Sequence, residues 1–317
     1  MKVGVICNIN AQRVPPGISA RIKAILKDSI EVIEETKKLK DMKQIIDDYF
    51  DKVDIWCFVG GDGTVNQGLS YLWYKTGMKD ELDIPVLHGK AGSLNAIPDK
   101  IPLKGDLDDI LIRFKNFLEE KKGIRKIPRD NLKKLNTIKL SIKGYETPKI
   151  CFNFFLGVPF LISKKVIEMR LGTKSSILQT IYSTIAKFVV SGGREKLIKK
   201  IKAEIEIEGA KYPYKFHYVI VGSTFREPAL FFRPFTEIDK YKSGFFFFVY
   251  SGDAWTAIRN FRTYARGKKR PPHSFNDITS KVLIKAWSGL NYDGEIEDKD
   301  FVEFKAEIGP IVNLIKI

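Results

Sequence analysis

The pattern of apolar and polar positions changes character partway along the chain. Val3 to Ile6 is a continuous apolar run that predicts a buried strand, and 8–17 is a polar loop. Ile18, Ile22, Ile25 and Leu26 fall on one face of a helix. Ile30 to Ile33 reads as a second short strand. Met42, Ile45, Ile46 and Phe50 align along an amphipathic helix over 39–50. Val53 to Val59 is a strongly apolar strand broken by Gly60-Gly61; a helix over 65–74, a strand over 84–87 and a helix over 107–118 follow. Strands that alternate with helices predict stacked βαβ units and a parallel sheet with helices on both faces.

From Leu135 onward short strands dominate, at 137–142, 150–156, 203–207, 215–222, 244–250, 281–285 and 301–306. Helical spacing interrupts them at 176–190 and 254–264. This predicts a second, mainly antiparallel β domain. The expected division is a nucleotide-binding α/β domain over 1–128, with the tail 306–317 returning to it, and a β-rich lipid or substrate domain over 129–305. The four aromatics Phe245 to Phe248 read as core, because a strand so apolar needs burial on both faces.

Composition adds three constraints. A chain of 317 residues with 44% hydrophobic content is long enough for two cores without disulfide staples. The three cysteines, Cys7, Cys57 and Cys151, lie in or beside apolar stretches and form no CxxC or Cys/His cluster, so structural zinc is not expected. His88, His217 and His273 are too dispersed for a metal site. The longest apolar run, 150–162, contains Asn153 and Pro159 and is too short for a bilayer, which needs about 20 residues. The net charge of +16 favours anionic partners. Part of it lies in Ile258 to Arg270, where Arg259, Arg262, Arg266, Lys268, Lys269 and Arg270 are interleaved with Phe261 and Tyr264. That stretch reads as a docking surface for anionic headgroups, as a nucleic-acid-binding surface on the same charge, or as a solvated helix end.

The chemistry concentrates at Gly60-Gly61-Asp62-Gly63-Thr64, between a buried strand and a helix. Successive glycines permit positive φ and let backbone N–H groups converge on an anion. The following helix adds the positive end of its dipole. The loop is neither a Walker A sequence nor GxGxxG, which disfavours a dinucleotide oxidoreductase.

Val59 to Asn66 resembles the GGDGT[IV]N signature of the diacylglycerol kinase catalytic domain superfamily. That group includes bacterial diacylglycerol kinases, YegS-like lipid kinases, sphingosine kinases and ceramide kinases. Gly92-Ser93-Leu94-Asn95-Ala96 resembles the family's second glycine loop, and Asp293-Gly294-Glu295 resembles its DGE motif near the C-terminus. Asn153, Gly157, Pro234 and Ser243-Gly244 are weaker landmarks. The motif order is preserved over nearly the whole chain. Three departures stand out: Asn8-Ile9-Asn10 lacks the family's proline, Ala96 replaces an aspartate, and Lys242-Ser243 replaces an acidic pair.

The resemblance implies a NAD-kinase/diacylglycerol-kinase-like fold and an ATP-dependent, magnesium-assisted transfer of phosphate to a hydroxyl of a diacylglycerol-like or sphingoid-like lipid. It implies nucleotide binding by Asn8, Thr36, Gly60, Gly61, Asp62, Gly63, Thr64, Asn66, Gly92, Ser93 and Asn95. Asp293 or Asp62 would be the general base in a cleft between the domains, with Glu295 and Asp62 on the metal side. The expected partners are ATP and lipid, with peripheral contact at an anionic membrane surface and no nucleic acid. The expected location is the cytoplasm, at the inner membrane face. Asp293-Gly294 also reads as a hairpin turn between strands at 287–292 and 301–306. The alternatives are an NAD kinase, which shares GGDG, and a catalytically degenerate nucleotide or lipid binder, which Ala96 and Lys242-Ser243 motivate.

Overall fold

The computed structural model describes residues 1–11, 13–37, 39–92, 97–101, 103–124, 126–169, 173–228, 232–236 and 243–317. Ser93, Leu94, Asn95, Ala96 and Lys242 lie outside the described residues. The chain divides into two compact units, one comprising Met1–Asn136 with Pro310–Ile317, the other Thr137–Gly309.

The first unit contains β1 (Val3–Asn8), α1 (Ile18–Leu26), β2 (Ile30–Thr36), α2 (Leu39–Tyr49), β3 (Ile55–Gly60), α3 (Asp62–Lys75), β4 (Glu81–Lys90) and α4 (Leu107–Glu120). β5 (Leu132–Ile142) leads out of it. Its sheet runs β2-β1-β3-β4 and is parallel throughout. β3 is buried at every position, as a central parallel strand covered on both faces must be. α1 packs with α4, and α2 packs with α3. α4 starts on a capping box in which Asp106 accepts from Asp109 N.

The second unit continues with β6 (Lys149–Cys151), β7 (Asn153–Gly157), α5 (Val158–Glu168), α6 (Lys174–Val190), β8 (Ile201–Ile207), β9 (Ala210–Lys211), β10 (Phe216–His217), β11 (Val219–Ser223) and β12 (Phe245–Tyr250). Then come α7 (Ala254–Arg259), α8 (Phe261–Ala265), β13 (Ser274–Thr279), β14 (Lys281–Ala286), β15 (Leu290–Tyr292), β16 (Glu295–Glu297) and β17 (Val302–Ile315). One antiparallel sheet runs β13-β12-β11-β7-β15-β16. In a second sheet β8 and β17 flank β14, again antiparallel. β8 alternates buried and outward residues along its length. Its inward set joins Phe154, Phe245, Phe247 and Phe304 in one core, and the Phe154 ring meets Phe304 edge-on at 5.4 Å. Phe245, Phe247 and Phe248 are thus core residues, as their strand predicted.

The fold class read from the sequence is the one observed, with local differences. The helix Val158–Glu168 was not expected: the strand reading ends at 156 and no element was read beyond it before 176; Pro159 in its first turn favours helix initiation. The helix expected over 254–264 is two short ones that meet at Asn260, whose side chain bonds back to Thr256 O. The strand expected over 301–306 continues as β17 to Ile315, and Ile311–Leu314 pair in parallel with β4. The three cysteines are free and buried. Among the described residues no helix is long and apolar enough to cross a membrane.

Candidate active site

The first unit gathers its polar sequence motifs at the carboxyl ends of its parallel strands. Asn8 ends β1, Thr36 ends β2 and pairs in register with Asn8, and Gly60 ends β3. β1 lies between β2 and β3, so the sheet order reverses there, and such a switch point is where open α/β sheets bind ligands.

α3 starts immediately at Asp62. Gly61 is its extended N-cap (φ −87°, ψ −177°), and its carbonyl accepts from Thr64 N (3.0 Å) and Val65 N (3.3 Å). Asp62 and Gly63 therefore occupy the helix's first turn, where N–H groups lack intrahelical acceptors and the dipole favours an anion. None of Gly60, Gly61 and Gly63 has positive φ, which corrects the expectation that they serve left-handed backbone. Gly60 and Gly61 answer to close approach instead. A Cβ on Gly60 would lie 2.4 Å from Thr64 Oγ1, and one on Gly61 would lie 3.3 Å from Gly92 Cα. The two glycine loops therefore touch at Gly61 and Gly92.

Hydrogen bonds tie the neighbouring segments to this point. Asn8 Nδ2 donates to Thr64 Oγ1 at 2.9 Å. Ala91 N donates to Gly60 O at 2.9 Å, and Arg13 N donates to Ala91 O at 3.2 Å. Thr36 and Asn66 are buried, Thr36 Oγ1 donating to Cys7 O at 3.5 Å. Asp62 turns back over the sheet, where its Oδ1 accepts from Ile97 N at 3.2 Å and lies 3.3 Å from His88 Nε2. Sequence reasoning set His88 aside. The only signal for it is the β3–β4 register, which sets His88 beside Phe58, two residues before Gly60.

Asp293 and Glu295 lie in the second unit. Tyr292 pairs with Glu295 across a two-residue turn whose central residues have φ 47° (Asp293) and 92° (Gly294), the type I′ pattern. The turn is as read, but its return strand is β16 and not 301–306, whose residues from Val302 on pair with β14 instead. The buried Asp293 carboxylate accepts from Phe152 N (2.6 Å), Asn153 N (2.9 Å) and Asn153 Nδ2 (3.1 Å). Asn153 Oδ1 in turn accepts from Ser223 Oγ at 2.6 Å. Burial pushes the neighbouring Cys151 thiol well up, and the charge of Asp293 adds to it. Glu295 is pushed above the usual carboxylate range, first by burial and then by Glu297, while Lys149 opposes them. Among the described residues no three His, Cys, Asp or Glu side chains gather as a metal-binding group.

Strand order and switch point define a parallel α/β unit joined to an antiparallel β unit. No family model and no curated protein matches the chain. Solved structures do. A diacylglycerol kinase from Bacillus anthracis str. Sterne has a TM-score of 0.57 at 15% identity, covering 100% of this chain and 97% of that one. Another structure from the same organism, provisionally described as a diacylglycerol kinase, has a TM-score of 0.63 at 16% identity with the same coverage. At these identities the likeness shows a shared fold, that of the bacterial diacylglycerol kinase structures, over the full length of the chain.

Proposed function

We propose that the chain is an ATP-dependent lipid kinase that phosphorylates a hydroxyl of a diacylglycerol-like or sphingoid-like lipid. The observation that carries this reading is the contact of Gly61 with Gly92 at the N-terminus of α3. Two glycine loops and a helix dipole at a sheet switch point suit a polyphosphate, because phosphoryl transfer needs positioning and charge neutralisation more than covalent chemistry. Gly60 to Thr64 and Gly92 hold the phosphates in this proposal, with Asn8 fixing Thr64 from below; Thr36, Asn66, Ser93 and Asn95 complete the nucleotide set.

The lipid hydroxyl must lose its proton to a carboxylate as it attacks the γ-phosphate. Asp293 is the proposed acceptor by motif, with Asp62 as the second candidate. Asp62 and Glu295 are the proposed metal ligands, since magnesium takes one or two carboxylates together with substrate phosphates. Magnesium therefore enters the proposal as part of the MgATP substrate.

The test is turnover of radiolabelled ATP with magnesium against diacylglycerol, sphingosine, other lipid alcohols and NAD. Label in a lipid product supports the proposal and names the acceptor. Label in NADP replaces it with a NAD kinase, and ATP binding without transfer to any acceptor replaces it with a degenerate binder.

A further inference from the structure

α6 ends on an exposed apolar tip. Tyr182, Val189 and Val190 are 50%, 47% and 89% exposed. Val190 and Ala186 line an open depression together with Lys187, Ser191, Arg194 and Glu195. The opposite face of the helix is anchored: Ile177, Thr180, Thr184 and Phe188 are buried, and the Phe188 ring rests on Trp255 at 5.1 Å. The end of the helix is fixed by bonds from Gly192 N to Val189 O (3.2 Å) and from Gly193 N to Phe188 O (2.8 Å), with both glycines left-handed. The two valines are thus held outward by a well-made turn.

The surroundings are cationic. No acidic residue occurs between Glu168 and Glu195. Lys187 and Arg194 share the depression with Val190. The Phe188–Trp255 contact brings α7 alongside, and Arg259, one turn beyond Trp255, is exposed, as is Arg262 in α8. The nearby acids are engaged: Asp253 caps α7 by accepting from Thr256 N at 2.7 Å, and Glu195 accepts from Leu197 N at 3.2 Å. The helix that leads into the basic stretch 258–270 thus packs beside the end of α6 within one unit, through Trp255 against Phe188 and Gly193.

We propose that this tip docks on an anionic bilayer, with Val189 and Val190 among the headgroups and acyl boundary and Lys187, Arg194 and Arg259 on lipid phosphates. A second copy of the chain would bring two cationic rims together, which repel. A nucleic acid would leave the valines unused. The inference deepens the lipid-kinase reading and takes its biological meaning from it, since it names the surface by which the enzyme would reach a lipid acceptor.

The experiment is cosedimentation, without nucleotide, with vesicles of phosphatidylcholine alone or mixed with phosphatidylglycerol. Binding is expected to the mixed vesicles, falling with salt. It should be lost in the Val189→Asp/Val190→Asp variant and weakened about fivefold for each charge removed in Lys187→Ala/Arg194→Ala. Ile112→Asp, at an exposed apolar position on α4, should bind as wild type. Circular dichroism establishes that each variant folds. The proposal is overturned if folded wild type binds neither vesicle, if it binds both equally, or if the double aspartate variant still binds. Self-association of the wild type that this variant abolishes would overturn it in favour of a second copy. Vesicle binding without lipid phosphorylation would instead sink only the kinase reading, and phosphorylation without vesicle binding only this one.

Discussion

His88 Nε2 lies 3.3 Å from Asp62 Oδ1, so a fully buried imidazole on β4 supports the first carboxylate of α3. Ile97 N donates to the same oxygen, and Asp62 thereby links β4 to the segment that follows the second glycine loop. His88→Ala should cost about 1–3 kcal/mol by removing a buried partner. It should also raise the KM for ATP, while His88→Gln, which keeps an N–H donor, recovers part of both. Urea denaturation and ATP titration of the two variants check this. Equal losses in both variants would mean that His88 serves packing alone.

Gly61→Ala tests the contact between the glycine loops. The added methyl would sit 3.3 Å from Gly92 Cα, so the second loop must give way. Since Gly61 has negative φ, alanine is not strained by its own backbone. The expected result is a loss of ATP affinity of tenfold or more by order of magnitude with little change in unfolding midpoint. Unchanged affinity would separate Gly61 from the phosphate site.

Asp293→Asn will act on both fold and rate. Its carboxylate accepts three N–H bonds, so an amide nitrogen in place of one oxygen sets donor against donor. A stability loss of about 1–3 kcal/mol is expected, and loss of a general base adds about 10²–10⁴ in rate. Ser223→Ala separates the two effects: it unties Asn153, which orients Asp293, without touching the carboxylate. If Ser223→Ala lowers stability as far and turnover as much as Asp293→Asn, Asp293 is a structural hub and Asp62 becomes the better base.

His217 predicts an acid-sensitive second unit. Burial pushes its imidazole down to about 4, and it sits with Nδ1 2.8 Å from Ser251 Oγ. The unfolded chain takes up a proton near the ordinary value of about 6.5, whereas the folded one resists until near 4. This contribution to stability is therefore present above about 6.5 and lost as pH falls through that window, to a total of roughly 3 kcal/mol. Chemical denaturation at stepped pH should show the decline in wild type and a shallower one in His217→Gln. Parallel slopes would remove His217 as the cause.

What the sequence made legible was local. Gly60 to Thr64 announces itself because a buried strand, glycines and a helix lie next to each other in the chain. The inward aromatics of β12 follow from period and apolarity. Asp293-Gly294 could be read both as a turn and as a motif; the turn is observed, but the strand it returns along, β16, was not legible. His88 was not legible, because its partner Asp62 lies on another element and only the β3–β4 register brings them together. Phe152 and Asn153 as the cradle of Asp293 were hidden for the same reason, being 141 and 140 residues away in sequence. The helix α5 was missed because an apolar run carries no period by which strand and helix can be told apart.

β17 has a consequence for synthesis. Asn313 Nδ2 donates to Leu82 O across 231 residues, and the strand that covers the outer edge of β4 is translated only after the second unit. Until it arrives, β4 presents an unpaired parallel edge for the time needed to make the entire second unit. That is the exposure that invites mispairing on the ribosome. The ion pair of Lys134 with Glu81 puts charge on that rim in the meantime, which disfavours pairing with a wrong strand.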